Sequence, residues 1–239
     1  MRAQRSLPRS VWVGLAAVCA VCTGCATGPN ADPRDPLEPL NRRVHHFNVG
    51  LDRAVIKPVA IAYSRDVPSP IRRGVSNFFG NLGDAWSAVN SLAQLKLGDA
   101  AQNATRFAFN TVLGLGGLLD IAGEVGIERH KETFGSTLAH WGVPAGPYLV
   151  LPLLGPSTLR DAAALPVERQ GDVIARIHPV PQRNALEAAR LLDTRATLLP
   201  LDAMLRDAFD PYTFTRDVYL QHRAAQSKDG DDDGRLSRP

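Results

Sequence analysis

Side chains able to act on a substrate are few and scattered in this 239-residue chain. Ser136 and His140 stand one helical turn apart, a spacing at which the imidazole could take the serine proton. A working pair also needs an acid to orient the imidazole and donors for an oxyanion, and neither can be assigned. Phe134-Gly135-Ser136-Thr137-Leu138 lacks the second glycine of a nucleophile elbow. Ser136 therefore reads as a helix-capping residue, and no catalytic residue is expected. His45 and His46 are adjacent, so on a helix they point about 100° apart and cannot easily share a metal. They read as surface or interface residues, and no metal site is expected. Gly114, Gly116 and Gly117 make a glycine-rich turn, but Leu119 occupies the third glycine place of a dinucleotide loop, and a helix precedes it. The turn also lacks the Gly-Lys-Ser of a phosphate-binding loop. It reads as a helix stop or hinge, and no cofactor is expected.

The cysteines carry more information. Cys19, Cys22 and Cys25 are the three in the chain, and none follows Cys25. A disulfide scaffold would spread them through the fold. Arg2, Arg5 and Arg9 precede an apolar run from Val11 to Cys22. A run of about 12 residues falls short of the roughly 20 that cross a bilayer. A basic start, a short apolar run and small residues describe an export signal. It ends in Val21-Cys22-Thr23-Gly24-Cys25, which resembles the lipobox of bacterial lipoproteins with cleavage after Gly24 and acylation of Cys25. The usual Leu three places before the cysteine is here Cys22. Two or three acyl chains, at about 0.8 kcal/mol per buried CH₂, would anchor the protein stably. By resemblance to lipoprotein sorting signals, Ala26 after the cysteine points to the outer membrane. Residues 1–24 are thus read as the signal peptide and 25–35 as lipidated terminus and polar tether.

Charge excludes bulk nucleic-acid binding. Three of the 27 bases lie in the signal, which leaves 24 against 24 acids. The body, residues 36–225, reads as helices separated by Gly and Pro, with no convincing strands. Asp35-Pro36-Leu37-Glu38 predicts a helix start with Asp35 as N-cap and Pro36 at the first helical position. A second helix runs from Pro58 toward Arg65. A long one follows Pro70, with an apolar stripe at Ile71, Val75, Phe78, Leu82, Trp86, Val89 and Leu92. Asp99 and Gln102 form a capping pair for a helix through Leu113. Tyr148 to Pro156 is apolar but broken by prolines, so it is neither a regular helix nor a central strand. It reads as a buried connector or as a segment in the acyl region. Further helices are expected over 184–193, 201–209 and after Pro211, with a disordered charged tail from 226 to 239. Such helices could pack as a soluble bundle, or lie in a leaflet with polar faces around an opening. Composition does not choose between them.

A set of ordered blocks resembles the MlaA/VacJ lipoproteins. Asp35-Pro36-Leu37-Glu38 with Asn41-Arg42 and Phe47-Asn48 is similar to that family's opening. Val75-Ser76-Asn77-Phe78, Thr105-Arg106-Phe107, Gly114 to Ala122, Trp141-Gly142-Val143, Thr158-Leu159-Arg160-Asp161, Asp193-Thr194-Arg195 and Asp210-Pro211-Tyr212 follow in order. The resemblance implies an all-α ring of amphipathic helices in the periplasmic leaflet of the outer membrane, around a central channel. It implies phospholipid cargo, a trimeric porin partner, and a soluble periplasmic carrier that returns lipid toward the inner membrane. The task implied is removal of mislocalised phospholipid from the outer leaflet, which maintains lipid asymmetry. On this reading Phe47, Asn48, Gly114, Gly116, Gly117 and Leu118 belong to the lipid channel or its hinge. Two rivals are a lipid-degrading enzyme, for which no nucleophile and base assemble, and a passive structural lipoprotein.

Overall fold

The computed structural model describes residues 32–236, with side chains through Gln226. The signal peptide, Cys25 and most of the tether lie outside the described residues. Helix α1 (Glu38–Leu51) passes without a break into a π-helical segment (Asp52–Ile56) and then α2 (Lys57–Asp66). In the π segment the Lys57 N–H donates to the carbonyl of Asp52, five residues back. Pro58 follows directly. A proline ring normally strikes the carbonyl four residues earlier, and the widened turn relieves that contact without ending the helix.

Asp35 does not cap α1. Its carboxylate is fully buried and accepts hydrogen bonds from Asn41 Nδ2 at 2.8 Å and from the Tyr212 hydroxyl. Distant partners have taken the side chain that local pattern assigned to the helix terminus. The next predicted cap is also displaced, because its helix starts earlier. Helix α3 (Ser69–Ala93) turns through Leu95, at φ 61°, into α4 (Leu97–Val112). That helix starts before Asp99, and Gln102 contacts the His130 ring at 3.1 Å. The long helix and its stripe, by contrast, are as the periodicity predicts.

After the short α5 (Ile121–Glu124), α6 (Phe134–His140) opens with a capping box. The Thr133 side chain accepts from the Ser136 N–H at 3.1 Å, and Ser136 Oγ accepts from the Thr133 N–H at 2.9 Å. The capping reading of Ser136 holds.

The expectation of no strands is overturned. Tyr148–Leu151 (β1) and Gly155–Thr158 (β2) pair antiparallel, with Tyr148 opposite Thr158 and Leu151 opposite Gly155. Both strands are edges, which is why Pro156 is tolerated. The missing neighbours are replaced by two asparagines of α1. Asn41 donates to the Tyr148 carbonyl at 3.0 Å and accepts from the Val150 N–H at 2.9 Å. Asn48, two turns on, donates to the Leu151 carbonyl and accepts from the Leu153 N–H, each at 2.9 Å. A side-chain amide offers one donor face and one acceptor, so it can stand in for an adjoining strand. Tyr148, Val150 and Tyr212 form a small apolar core here.

Helices α7 (Leu159–Gly171), α8 (Val180–Leu198), α9 (Asp202–Asp207) and α10 (Pro211–Leu236) complete the described residues. Sequence pattern missed α7 and shortened α8. The helical backbone of α10 continues to Leu236, through residues that composition assigned to a disordered tail.

Candidate functional site

The distribution of polarity is the reverse of that in a water-soluble bundle. Among the described residues, 17 buried side chains are polar or charged and nine are apolar. On α3 the buried face is Asn81, Asp84, Ser87, Ala88, Asn90 and Ser91, while Ile71, Val89 and Leu92 of the apolar stripe are more than half exposed. On α4 Asn103, Arg106 and Asn110 are buried and Val112 is 78% exposed. Leu95, Leu97, Leu113, Leu115, Leu118 and Leu119 extend the apolar surface at the two ends of this helical hairpin.

The interior is held by amides and ion pairs. Asn103 donates to the His130 carbonyl at 2.8 Å and accepts from its N–H at 3.1 Å. Asn110, seven residues on, accepts from the Ala122 N–H and donates to Asp120, each at 2.9 Å. Asn103 repeats the arrangement of Asn41 and Asn48, and Asn110 replaces the backbone carbonyl by a carboxylate. Arg106 reaches Asp84 at 3.3 Å, Asp120 at 2.7 Å and the Ile127 carbonyl. Removing one member would leave a buried charge without its partner, a strongly destabilising change.

Of the cavities that open between the described elements, two are large. One, of about 740 Å³, has apolar walls from Phe79, Leu82, Trp86, Leu154 and Leu165. Its rim carries the Arg190–Asp172 pair at 2.7 Å and the Arg169–Glu187 pair at 3.7 Å. Trp86 lies flat where a Cβ on Gly171 would sit, with ring atoms 2.3–2.5 Å from that point. Its indole N–H donates to Glu168 at 2.6 Å, and Glu168 in turn accepts from the N–H of Phe134 at the start of α6. The wall is thereby fixed.

The other cavity, of about 460 Å³, lies among α1, the π segment, α8, α9 and α10. Arg42 pairs with Asp210 at 2.6 Å and Glu38 at 2.7 Å, and its guanidinium sits 4.4 Å over the Tyr212 ring. The hydrogen bond from Arg42 holds the Asp210 carboxyl far below the usual carboxylate range. His45 packs edge-on against Tyr212 at 5.5 Å, and burial, then the neighbouring His46, pushes its imidazole down.

The residues marked by sequence fall in two places. Asn48 clamps the β-hairpin, and its neighbour Phe47 is 57% exposed. Gly114, Gly116, Gly117 and Leu118 form the stop after α4. Gly116 and Gly117 have φ of 74° and 94°, and their N–H groups donate to the carbonyls of Thr111 and Asn110 at 3.0 and 2.8 Å. A Cβ on Gly117 would lie 2.7 Å from Asn81 Nδ2, whereas one on Gly116 would meet open space. Leu118 is exposed, and its carbonyl accepts from Asn77. No group of three metal-binding side chains occurs among the described residues, and no described helix is long and apolar enough to cross a membrane. Sequence reasoning singled out Asn48 and passed over the other clamping asparagines. Their signal is an uncharged amide repeating on the face opposite an apolar stripe, where a solvated helix would carry Lys and Glu.

Comparison with known proteins gives a consistent result. The family model for the MlaA lipoprotein matches residues 33–226. The intermembrane phospholipid transport system lipoproteins MlaA of Shigella flexneri and of Escherichia coli K12 are each 39% identical over 194 residues, covering 76% of this chain and 73% of theirs. The Haemophilus influenzae MlaA is 33% identical over 200 residues, covering 80% of this chain and 78% of its own. A solved chain, described as the structural basis for maintenance of bacterial outer membrane lipid asymmetry, superposes with a TM-score of 0.68 at 36% identity. That match covers 81% of this chain and 98% of the other. The hairpin, the amide clamps and all the helices but the end of α10 lie within the matched span, and the chain belongs to the MlaA lipoprotein family.

Proposed function

We propose that this protein moves phospholipid out of the outer membrane, sitting as a lipid-anchored ring in the periplasmic leaflet. The single observation that carries this reading is the inverted polarity of the α3–α4 hairpin, with amides and ion pairs inside and leucines and valines outside. Large apolar side chains recover about 1 kcal/mol each when a half-exposed surface leaves water. With 31 such side chains exposed among the described residues, an acyl environment is strongly favoured over an aqueous one. An apolar surface of this extent marks a membrane or partner interface.

Lipid with polar head and apolar tails needs a route offering both. The cavity beside Trp86 supplies an apolar wall with paired charges at its rim, and we assign the tails to it. A trimeric porin in the same membrane would hold the ring, and a soluble periplasmic carrier would accept the lipid. The names of the relatives support the transport role. Removal from the outer leaflet, and with it maintenance of asymmetry, is the direction we assign. The reading includes no catalysis, since Ser136 is engaged in capping.

The test is surface-exposed phospholipid in a strain lacking this chain. We expect it to rise, and to return to the parental level when the gene is restored. An unchanged outer leaflet would leave a passive structural lipoprotein as the better account.

A further inference from the structure

The cavity of about 460 Å³ has a charge composition that its own ion pairs do not exhaust. Five bases, Arg42, Arg53, Lys57, Arg195 and Arg206, face three carboxylates, Asp52, Asp202 and Asp210. All three carboxylates are engaged. Asp210 holds Arg42 at 2.6 Å, Asp52 holds Arg195 at 2.8 Å, and Asp202 holds Arg195 at 2.9 Å and Lys57 at 2.7 Å. Arg53 and Arg206 remain; both are exposed, and neither side chain has a hydrogen-bond or ion-pair partner among the described residues. Between the charges the wall is apolar, from Val49, Leu205 and Pro211.

Two exposed guanidiniums beside an otherwise neutralised frame leave a local positive excess suited to an anion. A guanidinium presents a planar fork of donors that matches a phosphate bidentately. The apolar wall calls for that anion to carry carbon. The volume lies within the roughly 300–1,000 Å³ of small-molecule sites. Arg53 belongs to the π-helical segment, and such single-turn insertions recur at functional sites.

We propose that this cavity binds the phosphate of a glycerophospholipid head, with Arg53 and Arg206 as its ligands. The Arg42–Asp210 pair and the Arg195 bridge between Asp52 and Asp202 form the rigid frame around it. The site is separate from the Trp86 cavity, so the chain contains one station suited to tails and one suited to heads. The choice of a lipid head over a free phosphate rests on the transport reading above.

The test is ³¹P NMR titration of the full-length lipoprotein in non-ionic detergent, at neutral pH and low salt. The probes are dihexanoylphosphatidylglycerol, glycerophosphoglycerol and inorganic phosphate. Arg53 and Arg206 are exposed and their side chains make no hydrogen bond or ion pair among the described residues, so the double variant Arg53→Gln/Arg206→Gln should remain folded, as circular dichroism will check. We expect saturable binding of both glycerol esters, weakened at least tenfold in the double Gln variant and partly restored in Arg53→Lys/Arg206→Lys. Arg65→Gln, which removes an exposed charge paired only with Asp66, should change nothing. Equal affinity in the wild type and the double Gln variant would overturn the site. Binding of inorganic phosphate without either ester would make it a free-anion site and overturn the lipid assignment. Arginine-dependent ester binding, with no change of outer-leaflet lipid in the deletion strain, would retain the site and remove the transport reading instead.

Discussion

Asn41 makes the three bonds on which the hairpin and the buried Asp35 both depend. Truncation to Ala strands the Val150 N–H and removes a donor from a carboxylate with no access to water. Each buried group left unpaired costs about 1–3 kcal/mol. We expect Asn41→Ala to lower stability by about 2–4 kcal/mol, visible as a lower thermal midpoint in detergent. Asn41→Asp should cost more, because it sets a second carboxylate beside Asp35. Equal midpoints for wild type and both variants would show that the amide is dispensable. Asp210 supplies a pH dependence. Its folded value is depressed by Arg42, so its contribution is present above the ordinary carboxylate value of about 4. It is lost as pH falls below that toward the folded value. Asp202 and Asp161 are shifted the same way, so stability should decline on acidification from pH 5. Asp210→Asn should lower the midpoint at neutral pH and make that decline shallower. An identical slope in the variant would show that the pair is not felt by the folded state.

At the scale of elements, the α4 stop separates two roles that glycine can play. A Cβ on Gly117 strikes Asn81, so Gly117→Ala should destabilise by about 1–3 kcal/mol. Gly116 has open space, and Ala there faces only the left-handed backbone penalty of about 1 kcal/mol. Gly116→Ala is therefore the variant that stiffens the turn while leaving it folded. If the turn is a hinge on the lipid route, this variant should reach normal abundance yet raise surface phospholipid. A wild-type outer leaflet would reduce the turn to a helix stop. How far such elements could be read in advance depended on the range of the forces involved. The stripe from Ile71 to Leu92 follows from a period of 3.6 residues and was legible. Its direction was not, since a periodic pattern fixes two faces without saying which one meets solvent. Asp35 and Asp99 failed as caps because partners elsewhere in the chain took up Asp35 and α4 began ahead of Asp99. The hairpin failed because four-residue strands stand only with Asn41 and Asn48, more than a hundred residues earlier. The blocks that resemble the family were legible as order along the chain. The two cavities were not, since each draws its walls from elements far apart in sequence.

For the molecule as a whole, the proposed placement in the leaflet makes an acyl anchor at Cys25 only part of the attachment, because the exposed apolar surface would contribute as well. Cys25→Ser should abolish acyl labelling, yet the exported protein should still need detergent to stay monodisperse. A variant that runs as a single species in plain buffer would contradict placement in the leaflet. The polar interior also sets how stability responds to temperature. Unfolding raises heat capacity when it wets apolar groups and lowers it when it wets polar ones. Here the groups released from the interior are mostly amides, carboxylates, hydroxyls and guanidiniums, and on the proposed placement the leucines outside would begin and end in a detergent or lipid phase. Calorimetry in micelles should therefore give a heat-capacity increment well below the usual 12–15 cal/mol/K per residue, which is about the value for soluble domains. The stability curve would lose most of its curvature and run nearly straight, rising on cooling from the midpoint with no maximum near room temperature and no approach to cold unfolding. The protein would go on gaining stability as it is cooled, so its surrounding lipid would change phase before cold could unfold it.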